Sequence, residues 1–335
     1  MLKTTAEMHT TNFWKRLPRP FLVCAPMADG TDPAFRRVIA AHGRPDVMYT
    51  EFVSCDGLCS EKGRPKLLRD LSYAPNERPI VAQIFSSKPD NVARCAALIL
   101  SLGFDGIDIN MGCPDRGIEK QGAGAALIKN PALAVEVIQA AQSESGGLPV
   151  SIKTRLGYNT VEIDTWLPTL LTAHPDAITL HLRTRKEMSK VPARWDLAVR
   201  AVELARGSGT LIIGNGDVAS LEEARTRAEE TGVDGIMVGR AWFGNPWFGS
   251  GKIEISDAER IAVMRQHLAA YVEYFGPSDR NTREFHGHEK HFAVIKKHLN
   301  AYLKGVPSLG EVKSALMLAK NAVEAERILA AVAGA

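Results

Sequence analysis

Short apolar runs rich in β-branched residues recur along the chain, separated by longer stretches whose apolar residues fall at helical spacing. Eight of these runs are read as strands: Phe21 to Ala25, Val47 to Glu51, Ile80 to Ile84, Gly106 to Asn110, Val150 to Thr154, Ala177 to His181, Leu211 to Gly214 and Gly235 to Val238. The intervening stretches predict helices, among them Asp90 to Leu102, Pro131 to Ser143 and Leu221 to Glu230. The last has Ser220 in N-cap position and Glu223 three residues on, a capping-box spacing. Eight strand-helix units in roughly 230 residues fit a (β/α)8 TIM barrel, since a doubly wound sheet seldom needs eight strands.

Beyond Pro246 the pattern changes. From Ser256 onward only helical periodicities remain, broken at Gly276-Pro277 and at Gly305 to Pro307, so a small C-terminal α-helical bundle is expected. The boundary falls between Gly249 and Ile255, dividing the chain into a barrel over 1–250 and a helical domain over 251–335. A length of 335 residues with 45% hydrophobic composition supplies two cores of that size. A net charge of +3 permits a nucleic-acid partner without requiring one.

Five cysteines with no Cys-x-x-Cys pair argue against a disulfide framework and against a zinc site, so no metal is expected. The first twenty residues carry Lys3, Glu7, Lys15, Arg16 and Arg19 and no long apolar run. Neither a signal peptide nor a membrane span is expected there, and the cytoplasm is the predicted location.

In a barrel of this kind the reactive residues stand at the C-terminal ends of the strands. Taken in order, those ends are Pro26-Met27, Glu51, Gln83, Asn110 followed by Cys113, Lys153 with Arg155, His181 with Arg183, Asn215-Gly216-Asp217 and Gly239-Arg240. A polar residue closing one strand is an ordinary loop cap. Polar, chemically able groups at the same end of almost every strand suggest a site.

The loops after the last two strands, Gly214 to Asp217 and Gly239 to Ala241, each could merely turn the chain. Together they predict a phosphate site, because small residues expose backbone N–H groups and Arg240 adds a charge-assisted bond. The rest of the phosphate's carrier would then extend over the mouth to Lys153 and His181. A Lys beside the N1/O2 edge of a flavin stabilises the anionic reduced ring. Gln83 and the backbone at Ala25 to Met27 could complete the ring's hydrogen bonds. No Gly-x-Gly-x-x-Gly follows an early strand, so NADPH is expected as a transient visitor rather than a resident.

Cys113 lies three residues beyond the fourth strand, ahead of a loop containing Gly117, Gly122 and Gly124 that could gate a substrate. Cys24 and Cys95 read as inert core residues, and Cys55 and Cys59 as structural. As a nucleophile Cys113 would need a base to form thiolate, and no Cys-His pairing is legible. As a general acid it need only keep its proton. Beside a reduced flavin the acid role is the more economical.

The runs Ala25-Pro-Met-Ala-Asp-Gly-Thr-Asp-Pro-Ala-Phe35, Val81-Ala-Gln-Ile84, Ile109-Asn-Met-Gly-Cys-Pro114, Ser151-Ile-Lys-Thr-Arg-Leu-Gly157, His181-Leu-Arg-Thr184, Gly214-Asn-Gly-Asp217 and Gly239-Arg-Ala241 with Gly244-Asn-Pro246 resemble the dihydrouridine synthases. The match is ordered and correctly spaced from about Arg19 to the C-terminus. The resemblance implies an FMN-containing barrel, a helical domain that grips tRNA, and reduction of the uracil 5,6 double bond with NADPH recharging the flavin. By position, Cys113 would protonate C5 after hydride reaches C6. Asn110 and Arg155 would hold the uracil, with Arg183 assigned to the substrate side. Pro26, Met27, Gln83, Lys153, His181, Asn215, Gly216, Asp217, Gly239 and Arg240 would hold FMN. Many family members carry a basic run after the Cys-Pro pair, whereas this chain reads Asp115-Arg-Gly-Ile-Glu-Lys-Gln121. Asp29 also stands where Gly is common.

For the RNA, a helix is predicted over Phe285 to Lys304. At 100° per residue, His286, Lys290, Lys297 and Lys304 fall within about 40° of one another, and Phe292, Ile295, Leu299, Tyr302 and Leu303 lie opposite. Such a stripe is often only a solvated face. In an RNA enzyme Lys290, Lys297 and Lys304 would meet phosphates. His286, His288 and His291 lack carboxylate or Cys partners and read as surface residues. A monomer is expected. The competing readings are a small-molecule flavin barrel of the dihydroorotate or dihydropyrimidine dehydrogenase type, and a non-catalytic RNA-binding protein on the same fold.

Overall fold

A computed structural model describes residues 12–276 and 291–333. In chain order the elements of the barrel are β1 (Phe21–Cys24), α1 (Pro33–His42), β2 (Met48–Tyr49), β3 (Val53–Ser54), α2 (Cys55–Leu58), α3 (Arg64–Asp70), β4 (Ile80–Phe85), α4 (Pro89–Ser101), β5 (Gly106–Asn110), α5 (Arg116–Lys120) and α6 (Pro131–Glu144). They continue with β6 (Val150–Arg155), α7 (Ile163–Leu171), β7 (Ala177–His181), α8 (Asp196–Ala205), β8 (Leu211–Asn215), α9 (Leu221–Thr231) and β9 (Gly235–Val238). The helical region comprises α10 (Asp257–Phe275), α11 (Ala293–Tyr302), α12 (Gly310–Leu318) and α13 (Ala322–Ala333).

All strand pairs are parallel, in the order β1-β9-β8-β7-β6-β5-β4-β2, and a parallel bridge between Val23 and Val47 closes the ring. The expected TIM barrel is therefore what forms. The second predicted run, Val47 to Glu51, is a strand only over Met48–Tyr49, and a further pairing follows beyond it at Val53–Ser54. Met48 pairs with Ile80 and Val53 with Ile84, so this stave holds one residue more than its partner over the same span. The cause is local: the Thr50 hydroxyl accepts the Gln83 backbone N–H at 3.1 Å where a ladder carbonyl would otherwise stand, and the extra residue makes a bulge. The bulge turns Phe52 toward the barrel mouth.

Helix starts follow the chemistry of their caps. Asp32 accepts the Phe35 N–H at 2.9 Å ahead of Pro33, and Ser220 accepts the Glu223 N–H at 3.0 Å while Glu223 returns a bond to the Ala219 N–H. α9 ends on Gly232 at φ 73°, a left-handed cap that suits glycine.

Two apolar layers matter for the site. Inside the barrel, Phe21, Val23, Val47, Tyr49, Val81, Ala177, Leu211, Ile213 and Met237 pack together, and Phe13 and Trp14 close the end opposite the strand C-termini. A separate cluster joins Ala34, Val38 and Trp247 to Ile261, Met264, Leu268, Tyr271, Ile295 and Leu299, laying α10 along α1. The helical region is thus packed onto the helix that follows the first strand. Among the described residues no helix is long and apolar enough to cross a membrane.

The predicted basic helix is shorter than expected. α11 begins at Ala293 and ends at Tyr302, so His291 precedes it and Lys304 lies past its end. Phe292, Ile295, Leu299, Tyr302 and Leu303 are buried as expected, and Lys297 and Lys304 are exposed. His286, His288 and Lys290 lie outside the described residues. His291 is exposed.

Candidate active site

Because strand side chains alternate, residues two apart share the barrel's interior. Counting in twos from the apolar end places Gln83, Asp108 and Asn110, Ser151, Lys153 and Arg155, Thr179 and His181, and Asn215 on the inner face, in register across β4 to β8. Above them opens a cavity of about 770 Å3 at the C-terminal ends of the strands. Its wall includes Pro26, Met27, Asn110, Cys113, Lys153, Arg155, His181, Arg183, Asn215, Gly216, Asp217, Gly239 and Arg240. Nearly every residue singled out in the sequence for the barrel site converges there.

Glu51 and Gln83 are the exceptions: buried Glu51 accepts the Gly30 N–H at 3.4 Å and does not reach the wall, and neither does Gln83. Gln83 is fully buried and lies one layer below the wall, its Nε2 donating to Asp108 Oδ2 at 2.7 Å and its Oε1 accepting from Asn110 Nδ2 at 3.0 Å. Asn110 Oδ1 in turn accepts the backbone N–H groups of Gly112 (3.1 Å) and Cys113 (2.9 Å), leaving one N–H of its amide to the cavity.

The thiol of Cys113 sits on one side of the cavity. Burial pushes it above the ordinary thiol range, and the neighbouring cations Arg155 and Lys153 only partly offset this, so it keeps its proton at neutral pH. Arg155 braces the loop: Nε donates to Gly112 O at 2.7 Å, and Nη1 to Thr184 O and Met188 O. The loop's short helix α5 is tied down by a two-pronged ion pair from Arg185 to Glu119. The glycine-rich loop is therefore latched on both flanks.

On the neighbouring strand β6, Lys153 Nζ donates to Asn215 Oδ1 at 3.1 Å, and Asn215 Nδ2 donates to Met237 O at 2.8 Å. Burial, then the nearby Arg155, lowers Lys153 to about 8, which leaves it mostly charged at neutral pH. Burial, with Lys153, Arg155, Arg183 and Arg240 around it, holds His181 neutral far below the usual imidazole range. Since Arg183 Nη1, 3.1 Å away, can only donate, His181 Nε2 accepts and the proton rides on Nδ1.

Arg183 lines the cavity, and its nitrogens are all engaged within the protein. Its Nε donates to Val191 O at 2.6 Å and its Nη2 pairs with Asp217. Its partners thus come from the end of β7, the loop that follows it and the loop after β8. Asp217 also takes Arg240 Nη2 at 2.8 Å. Burial raises this carboxyl, but the Ala193 N–H, Arg183 and Arg240 outweigh it and hold Asp217 below the usual carboxylate range.

The glycines here are spatially required. Gly216, at φ 142°, has Ala193 Cβ where its own Cβ would come within 2.7 Å, and a Cβ on Gly239 would stand 3.1 Å from Met27 Sδ. This leaves a backbone-lined cradle beside Arg240. Groups not singled out from sequence are Asp108, Ser151, Phe52 and Met188. The first two were legible: counting back two from Asn110 and from Lys153 reaches them. Phe52 and Met188 arrive through a bulge and a loop, which leave no periodic signal.

The profile of the family described as Dihydrouridine synthase (Dus) matches residues 23–334. The chain belongs to the dihydrouridine synthase family. It is similar to the probable tRNA-dihydrouridine synthase 2 of Bacillus subtilis (strain 168), 40% identical over 324 residues covering 96% of each chain. It is also similar to a probable tRNA-dihydrouridine synthase of Staphylococcus epidermidis, 38% identical over 322 residues and 95% of each chain. Among solved structures, a histamine dehydrogenase from Rhizobium sp. 4-9 shares the fold with a TM-score of 0.52 at 14% identity, covering 80% of this chain and 51% of that one.

Proposed function

We propose that this member of the dihydrouridine synthase family reduces uridines of tRNA to 5,6-dihydrouridine, with FMN as resident cofactor and NADPH as electron donor. The observation that carries the reading is a thiol, Cys113, kept protonated at the wall of a cavity that also offers a lysine, a neutral histidine and a glycine cradle beside an arginine. A cavity of about 770 Å3 suits a cofactor-sized ligand.

The residues fit FMN. Gly216, Gly239 and Arg240 would take its phosphate, Asp217 and Arg183 would hold Arg240 and His181 in place, and Lys153 with Asn215 would face the ring, backed by Pro26 and Met27. Arg183 is therefore reassigned to the cofactor side, and Gln83 acts from beneath. When bound, the flavin supplies hydride to C6 of the uracil and recovers electrons from NADPH. Arg155, whose Nη2 makes no hydrogen bond among the described residues, and the free N–H of Asn110 orient the uracil carbonyls. Cys113 Sγ gives its proton to C5 and regains one from water, the interim thiolate being favoured by Arg155 and Lys153.

A uracil stacked in folded RNA must leave its stack to reach this depth. The barrel (1–250) does the chemistry, and the helical domain (251–335), with Lys297 and Lys304, contacts the phosphates. The enzyme acts in the cytoplasm as a monomer.

The test is to purify the protein, look for a bound flavin spectrum, and incubate it with NADPH and tRNA made without modifications. Mass analysis of the digested tRNA should reveal uridines that have gained one hydride and one proton. Reduction of free uracil or oxidation of dihydroorotate, with tRNA untouched, would overturn the reading in favour of a small-molecule enzyme.

A further inference from the structure

Below the cavity floor runs a buried line of hydrogen bonds whose donor and acceptor sense is set at both ends, by an acceptor-only carboxylate at Asp108 and by donor-only backbone N–H groups at Gly112 and Cys113. Asp108, Gln83, Ser151 and Tyr49 are essentially inaccessible, and Asn110 is nearly so. Asp108 and Gln83 are register partners on β5 and β4, and Asp108 and Asn110 share the inner face of β5. Asp108 Oδ1 accepts from Ser151 Oγ at 2.7 Å, while Tyr49 stands 3.3 Å from the same hydroxyl. Asp108 Oδ2 accepts from Gln83 Nε2.

An ionised carboxylate can only accept, whereas a primary amide presents a donor at one end and an acceptor at the other. Asp108 therefore fixes which end of Gln83 faces it. Gln83 must then offer Oε1 to Asn110, Asn110 must answer with Nδ2, and Asn110 Oδ1 is left to receive the N–H groups of Gly112 and Cys113. Were the two amides turned over, Asn110 would point an NH2 at two backbone donors, and the loop would lose its anchor.

We propose that Asp108 is a positioning residue for Cys113: acting through Gln83 and Asn110, it locks the Asn110 amide in the one orientation that receives the Gly112 and Cys113 N–H groups and so holds the Cys113 backbone at the cavity wall. This deepens the function proposed above and rests on it for the role of Cys113. Asp108 itself touches neither the cavity nor the thiol.

The test uses three variants of the full chain: Asp108→Asn, Gln83→Glu and the two combined. With an amide in place of the Asp108 carboxylate, the group at that end can donate or accept, so only the backbone N–H groups at the other end still set the direction and the lock on Asn110 loosens. In the double variant a carboxylate replaces the Gln83 amide, which restores an acceptor-only group next to Asn110, and the amide introduced at the end of the relay now donates to it. The primary readout is hydrogen exchange at the Gly112 and Cys113 amides at about pH 8, which depends on neither flavin nor RNA.

Asp108→Asn should melt cooperatively and exchange those amides about tenfold faster, the equivalent of one net hydrogen bond. The double variant should return toward the wild-type rate. Turnover on tRNA should follow the same order in kcat, with KM and the flavin spectrum little changed. Wild-type exchange in Asp108→Asn would overturn the proposal, and so would a double variant no slower than the single one, since a merely structural defect is not repaired by moving the charge. If Asp108→Asn fails to melt cooperatively, Gln83→Leu cuts the relay while keeping the Asp108–Ser151 pair. Fast exchange there supports the proposal, and wild-type exchange overturns it. Intact exchange behaviour in a wild-type chain that leaves tRNA unreduced would instead overturn the proposed function alone.

Discussion

A half-buried thiol that keeps its proton is poorly reactive, and Cys113 should behave accordingly. Iodoacetamide should label it slowly at neutral pH, and the rate should climb only as the pH passes the ordinary thiol range, because burial raises the group and thiolate forms late. Peptide mass mapping across a pH series checks this. Labelling that is complete at neutral pH would mean a depressed thiol, and a nucleophile rather than an acid. Replacing Cys113 with Ala should lower uridine reduction by about a hundredfold or more, with flavin content unchanged. Single-turnover reoxidation by tRNA measures it. At this scale much of the site was legible from the chain, because strand ends in a barrel converge: Asn110, Cys113, Lys153, His181 and Arg240 were all placed from position alone. What could not be seen was where each side chain spends its donors. Arg183 and Gln83 stand at the expected strand ends, yet neighbours distant in sequence, Asp217 and Asp108, claim their polar groups.

Among the elements, α5 is short and could not stand alone. Arg185, from the loop after β7, holds it through Glu119, a pair that shelters partly from solvent. Tyr158 lies under the Arg185 guanidinium, 5.3 Å from its centre, adding a flat support. Glu119→Gln should weaken this tie by about 1 kcal/mol, the scale of a partly exposed pair. We expect faster hydrogen exchange over residues 115–121 and about a fivefold higher KM for tRNA, with kcat less affected. Unchanged exchange in that segment would show that the pair does not restrain the helix. The sequence read this stretch as a free glycine-rich loop. Its helix has only the cap of Asp115 to announce it, and the pair that anchors it bridges two distant loops. The split second stave escaped notice for a like reason, since the cue is a single Thr hydroxyl.

Over the whole molecule, period and capping predicted the barrel because each strand-helix unit repeats the same local logic eight times. The helical region carries weaker signals, and the basic helix was drawn too long at its C-terminal end, where Lys304 lies past the last turn. Lys297 and Lys304 remain exposed on that side. Charge reversal of both should weaken tRNA binding about tenfold at moderate salt and flatten its dependence on salt concentration, since each lost phosphate contact releases fewer counterions. A gel-shift series at several salt concentrations, with the flavin spectrum as control, decides this. An unchanged slope would place the RNA elsewhere.

Phe13 and Trp14 have a kinetic consequence. They stand at the floor of the barrel, beneath its packed interior and away from the cavity. In the proposed reaction a nicotinamide and a uracil would therefore reach the flavin from the same mouth and take turns there. For the proposed reaction this predicts a double-displacement rhythm, in which initial-velocity plots at several fixed tRNA concentrations run parallel against reciprocal NADPH. Lines that converge would mean that both occupants fit at once.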